Sequence, residues 1–218
     1  MPQGQAGCEL YLVIETGDGA AARLTAALDA AGIATVLIRA AEGRALDAAA
    51  AKPLVELARK SGIAALVAGE PALVRATGAD GAHLGASAGN LAAYQAARAA
   101  LGDQKIVGVD PGVSRHDAMT IAEAGADYVA FGAPAHLKDK DKGLHRRDEL
   151  VAWWAEIFQV PCVAFDVETA EEAEALARSG ADFVAVTLHA GFAAGDVRSR
   201  IADIAAALQS VASEQECA

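Results

Sequence analysis

The side chains in this 218-residue chain best suited to chemistry are a small set of cations, histidines and aspartates. Each lies on, or follows, a short apolar run: Arg39, His83, Asp110, His136, Lys138, Lys140, Asp166 and His189. Two or three cations beside carboxylates can hold a phosphorylated small molecule, since phosphate takes much of its binding energy from charge-assisted hydrogen bonds. Histidine and aspartate at the same place can move protons. Plainer roles compete. His83 inside a strand reads as a hydrogen-bonded structural residue, His189 as a closure of the last loop, and Asp110 as a cap for the helix near Ser114.

The elements that must position these residues repeat. Gly78-Ala79-Asp80-Gly81, Gly125-Ala126-Asp127-Tyr128 and Gly180-Ala181-Asp182-Phe183 are three copies of one junction, each after an alanine-rich stretch and before an apolar run. Glycine past a helix end supplies the left-handed turn that such ends need. Continuous apolar runs are expected as strands over 10–14, 35–38, 64–67, 81–84, 106–109, 128–131, 161–165 and 183–188, alternating with helical stretches. Thr169 and Glu172 form a capping box. Eight strand–helix units predict a single-domain (β/α)₈ TIM barrel, spanning 9–212 between a loose N-terminus (1–8) and a polar tail (213–218). An open doubly wound sheet is the alternative, but no Gly-x-Gly-x-x-Gly follows the first strand. The run from Ala133 to Gly143, with lysines and aspartates alternating from Lys138 to Lys142, is expected as a long charged loop, and a helix over 149–158 follows it.

Composition narrows the partners. With 18 basic against 29 acidic residues the net charge is −11, which argues against nucleic acid or an anionic membrane surface as partner. A small molecule held by a few local cations stays compatible, as does a homo-oligomer. Three cysteines, Cys8, Cys162 and Cys217, show no metal-ligand spacing. With no secretory pattern at the N-terminus, a cytoplasmic location is expected.

The strand ends, taken in order, resemble the thiamine-phosphate synthase family, which also contains thiazole tautomerases. The resemblance rests on Leu10 to Val13, Val36 to Arg39, Gly78-Ala79-Asp80-Gly81-Ala82-His83-Leu84-Gly85, Val107 to Val109, Gly125 to Gly132 and Gly180 to Val186. It implies a (β/α)₈ barrel that joins hydroxymethylpyrimidine pyrophosphate to thiazole phosphate, releasing pyrophosphate with help from Mg²⁺. It makes Arg39 the residue aimed at pyrophosphate, Lys140 the lysine of the family's Thr-x-Thr-Lys loop, and His83 the histidine of its His-Leu-Gly motif. Arg39, Lys140 and His136 are thus the candidate catalytic residues; His83, Asp110, Asp166 and His189 are candidates for substrate binding.

The chain departs from the family pattern elsewhere. Leu37 and Ala41 replace Gln and Lys. Ala68-Gly69 replaces an Asn-Asp pair, and Ala86, Ser87 and Ala88 replace Gln and acidic residues, so both expected Mg²⁺ carboxylates are missing. Leu137 and Asp139 replace two threonines, Phe165-Asp166 a Gly-Gly, and Thr187-Leu188 a Val-Ser. Ala133 stands where a tautomerase has histidine, with His136 three residues on. The reading predicts weak turnover in the family reaction, or else a non-catalytic ligand- or partner-binding barrel, or a barrel enzyme with a changed substrate. The Asp166 and His189 loops are expected either to have lost phosphate binding or to close on one another.

Overall fold

The computed structural model describes residues 7–41, 43–87, 89–133 and 139–216. Eight strands and eight helices alternate: β1 (Glu9–Glu15), α1 (Ala20–Leu28), β2 (Thr35–Arg39), α2 (Ala48–Lys60), β3 (Ala64–Ala68), α3 (Pro71–Thr77), β4 (Gly81–Leu84), α4 (Asn90–Leu101), β5 (Ile106–Val109), α5 (Arg115–Glu123), β6 (Tyr128–Phe131), α6 (Lys140–Ile157), β7 (Cys162–Ala164), α7 (Ala170–Arg178), β8 (Phe183–Leu188) and α8 (Ala194–Glu216). The strands pair in parallel and in sequence order, and β8 closes on β1. The expected (β/α)₈ barrel is the fold observed.

Strand side chains alternate between two cores. One set, including Leu10, Leu12, Ile14, Val36, Ile38 and Val67, packs outward beneath the helices. The other, including Tyr11, Val13, Leu37, Leu66, Tyr128, Ala130, Val163 and Ala185, fills the barrel. Gly108 makes room inside, because a Cβ there would fall 1.9 Å from the Tyr128 ring. The period of two carries the inward set up to the carboxyl ends of the strands. After Tyr11 and Val13 comes Glu15; after Leu37 comes Arg39; after Ala185 come Thr187 and His189.

The repeated Gly-Ala-Asp junctions do one structural job three times. Asp80 Oδ2 accepts from the Ala65 N–H at 3.0 Å, Asp127 Oδ2 from Val107 at 2.7 Å, and Asp182 Oδ2 from Cys162 at 2.8 Å. Each carboxylate, placed just before an even-numbered strand, fastens the start of the odd-numbered strand before it. Gly78, Gly125 and Gly180 take φ of 74°, 96° and 93° at the helix exits.

Several strand ends shift by a residue, and two helix boundaries differ more widely from expectation. The charged run is not a loop throughout: α6 begins at Lys140, nine residues before the expected start. Asp139 Oδ1 caps it by accepting from the Lys142 N–H at 3.2 Å, and Asp141 adds a favourable charge in its first turn. An ion pair from Arg146 and a contact from His145 Nε2, both to Glu149, support the following turns. Helix α8 continues through Glu216, into the stretch expected as a polar tail. Among the described residues, no helix is long and apolar enough to cross a membrane.

Candidate functional site

The inward alternation puts a buried acid at the carboxyl end of β1. Glu15, 5% exposed, accepts with Oε1 from Arg39 Nη2 at 3.1 Å and faces His189 Nδ1 at 3.1 Å. Burial pushes this carboxyl up, but His189 and Arg39 outweigh it and hold it below the ordinary carboxylate range. Arg23, also buried, fixes the surrounding backbone: Nη2 donates to Glu15 O and Nη1 to Asp18 O and Ala190 O. The ends of β1, β2 and β8 are thus tied into one unit. Glu15 lies one residue past the expected end of the first strand, and continuing Tyr11, Val13 by two residues reaches it.

Deeper in the barrel lies a polar aromatic floor. His83 Nδ1 is 2.9 Å from the Tyr128 hydroxyl, which is 2.9 Å from the Tyr11 hydroxyl. The His83 ring stacks on Phe165 with centroids 5.2 Å apart. Burial, with the Arg39 guanidinium nearby, lowers the His83 imidazole to about 4, so it is neutral at physiological pH.

On the β5–β7 side two aspartates hold loops. Asp110 Oδ1 accepts from the Gly112 N–H at 2.7 Å, a local turn rather than the helix cap that competed as its plain role; Ser114 caps α5. Burial raises its carboxyl to about 6; the Gly112 N–H opposes that rise and the Asp166 carboxylate adds to it. Asp166 adopts φ 60°, the sole left-handed non-glycine among the described residues, and its Oδ2 accepts from the Ala133 N–H at 2.8 Å. The expected Asp166–His189 closure is not formed: His189 pairs with Glu15, and Asp166 fastens the end of β6. Arg147, 2% exposed, holds the Asp166 turn from below, with Nη1 donating to Phe165 O at 2.9 Å and to Asp166 O at 3.0 Å.

A cavity of about 540 Å³ opens between the ends of β6, β7 and β8 and the start of α6. Lys140, Asp166, Glu168, Thr187, His189, Phe192 and Arg200 line it. Lys140 Nζ pairs with Glu168 Oε1. Arg200, on α8, lays its guanidinium over the Phe192 ring at 5.0 Å and donates to Val167 O at 3.3 Å. A survey of strand ends misses Arg200 because its helix supplies it. Arg39 is not among the residues that line this cavity; it is linked to it through His189, which lines the cavity with Lys140 and shares Glu15 with Arg39. His136 and Lys138 lie outside the described residues.

The resemblance implies Mg²⁺, and the donor set tests it. Mg²⁺ is held by carboxylates together with substrate phosphates. The strand ends where the family keeps those carboxylates carry Ala68, Gly69, Ala86 and Ser87 here, none of them anionic. No group of three His, Cys, Asp or Glu side chains suited to a metal occurs among the described residues. These positions do not fit a protein-held Mg²⁺.

Fold and mouth together define a (β/α)₈ barrel whose polar cavity opens where such barrels carry their active sites. The family model described as thiamine monophosphate synthase matches residues 10–189. The thiamine-phosphate synthase of Erythrobacter litoralis is 37% identical over 194 residues, covering 86% of this chain and 90% of the relative. That of Rhodospirillum centenum is 38% identical over 185 residues, covering 82% and 87%. The chain belongs to the thiamine monophosphate synthase family. Among solved structures, a thiamine phosphate pyrophosphorylase from Pyrococcus furiosus superposes with a TM-score of 0.72 at 21% identity, covering 93% of this chain and 96% of that one. A tryptophan synthase from M. tuberculosis reaches 0.72 at 17% identity, covering 94% and 93%, so likeness at this level speaks for the barrel alone.

Proposed function

We propose that this chain joins hydroxymethylpyrimidine pyrophosphate to a thiazole phosphate and releases pyrophosphate. The observation that carries the reading is similarity along nearly the whole barrel to proteins named thiamine-phosphate synthase, at 37% identity over 90% of one relative's length. In the reaction a bond forms from the thiazole nitrogen to the pyrimidine methylene, and the carbon–oxygen bond to pyrophosphate breaks. Negative charge grows on the departing oxygen. Arg39 and Lys140 are the side chains we assign to that charge, and we assign the His83 and Phe165 rings, stacked within 22° of one another, to the floor beneath a planar ring. With no carboxylates at the family's metal positions, turnover is expected to be slow, below about 1 per second.

A second reading is a ligand-binding barrel without turnover. It is favoured by Ala68-Gly69 and Ser87 at those positions and by the Asp166 carboxylate beside the cavity. A steady-state assay with both substrates, with and without Mg²⁺, separates the two. Thiamine phosphate above the enzyme-free background supports the synthase reading. Substrate binding without product overturns it in favour of the second.

A further inference from the structure

Glu168 is the carboxylate that holds Lys140 in the cavity. Its Oε1 takes Lys140 Nζ, and Arg200 and His189 line the same cavity. The Lys140 contact holds the Glu168 carboxyl below the ordinary range against the opposing effect of burial, with further pull from Arg200 and His189. The backbone beneath it is fixed separately. The Glu168 N–H donates to Glu172 Oε2 at 2.7 Å, and Thr169 and Glu172 form the capping box of α7. The carboxylate can therefore swing away by side-chain rotation while the loop stays in place.

The ion pair is also weak enough to exchange. Its side chains are 60% and 59% exposed, and such pairs contribute about 0–1 kcal/mol. We infer that Glu168 is a specificity-determining residue: an internal anion that occupies Lys140 until the phosphate or pyrophosphate group of a small-molecule ligand displaces it. It sets a threshold. A single carboxylate offers Lys140 nothing that Glu168 does not already supply, and must still meet the entropy of association. A phosphate group brings nearly two charges and three acceptor oxygens, and exceeds that threshold. The inference deepens the proposed function and rests on its reading of the mouth as anion-binding.

Calorimetric titration of the intact chain with inorganic pyrophosphate and with acetate, in low salt without Mg²⁺, tests it. Glu168→Gln, at an exposed position, is expected to bind pyrophosphate about 3- to 10-fold tighter than wild type, through loss of the competing pair and of like-charge repulsion. Acetate is expected to give no binding heat with wild type and weak but detectable heat with Glu168→Gln. In the double variant Lys140→Met/Glu168→Gln the gain is expected to vanish. Unchanged or weaker pyrophosphate binding by Glu168→Gln, a gain that survives loss of Lys140, or no binding by any of the three proteins would overturn the inference. A chain that makes no thiamine phosphate yet shows the Lys140-dependent gain keeps the inference and loses the synthase reading. Turnover without that gain does the reverse.

Discussion

Glu15 and Arg39 are register partners on adjacent parallel strands, and their side chains meet inside the barrel mouth with Oε1 3.1 Å from Nη2. The pair fixes the guanidinium at the place where the family resemblance puts pyrophosphate, and it lowers the charge Arg39 presents until a ligand arrives. Glu15 is buried, so the charge is retained only because it is paired. Glu15→Gln keeps the shape and removes the charge. It is expected to cost about 1–3 kcal/mol near neutral pH in urea denaturation. The folded carboxyl titrates below its ordinary value, so its contribution is present above the unfolded carboxyl range and fades as pH falls through the lower folded value. Wild type and variant should therefore converge in stability as the pH falls through and below that range. A constant gap across that range would mean that packing, not charge, is what Glu15 provides.

His83 titrates well below an ordinary histidine. Its folded pKa is lowered from 6.5 to about 4, so between those values the unfolded chain holds more protons. Its contribution to stability is full above pH 6.5 and shrinks on acidification. Asp110, raised to about 6, pulls the other way over much of the same window, because there the folded chain holds the extra proton. The measurement is therefore a difference. The advantage of wild type over His83→Asn should grow by about 2–4 kcal/mol from pH 4 to pH 7. A pH-independent difference would show that His83 does not stay neutral in the fold.

Arg147 is expected to be the costliest single charged side chain on α6. Arg147→Met preserves much of the volume but leaves the Phe165 and Asp166 carbonyls without their donor, for a loss of about 2–4 kcal/mol. The neighbouring Arg146, paired with Glu149 at the surface, should cost under about 1 kcal/mol when replaced by Met. Comparable thermal shifts for the two variants would refute the assigned role.

The contrast between Arg146 and Arg147 shows why part of the site could not be read in advance. Both stand in Lys-Gly-Leu-His-Arg-Arg-Asp-Glu, which looks like a solvated face, and no local pattern marks the second arginine as buried. Its Nε pairs with the adjacent Asp148, but its Nη1 reaches backbone oxygens 18 and 19 residues away, contacts that only barrel closure creates. The eight strands were legible because parallel strands covered on both faces are continuously apolar. Arg39 and His189 were legible because they follow such runs. Glu15 was hidden as the third inward residue of a strand taken to end at Ile14, and Arg200 because a helix brings it to the mouth. The Gly-Ala-Asp copies were visible as repeats, but not the bond each aspartate makes to the preceding odd-numbered strand.

Asp166 carries the last prediction. The family resemblance puts glycine at this position, and the chain still has a glycine-like backbone there, with φ 60° on an aspartate. The left-handed conformation costs a side-chain-bearing residue about 1 kcal/mol or more. The Ala133 N–H, bonded to Oδ2 at 2.8 Å, offsets that cost, and Arg147 holds the turn from the other side. Asp166→Gly removes strain and bond together, and should change stability by no more than about 1–2 kcal/mol. Asp166→Ala removes the bond and keeps the strain, so it should be less stable than the glycine variant by about 1 kcal/mol. Both variants take a carboxylate away from the cavity and from Asp110, whose own carboxyl should then titrate closer to the ordinary range. Both should bind pyrophosphate more tightly than wild type, because a like charge at short range has gone. Urea denaturation of the pair decides the backbone claim, and an alanine variant as stable as the glycine one would sink it. Titration with pyrophosphate decides the electrostatic claim independently, since unchanged affinity in both variants would mean that Asp166, held against the β6 exit by Ala133, does not face the bound anion.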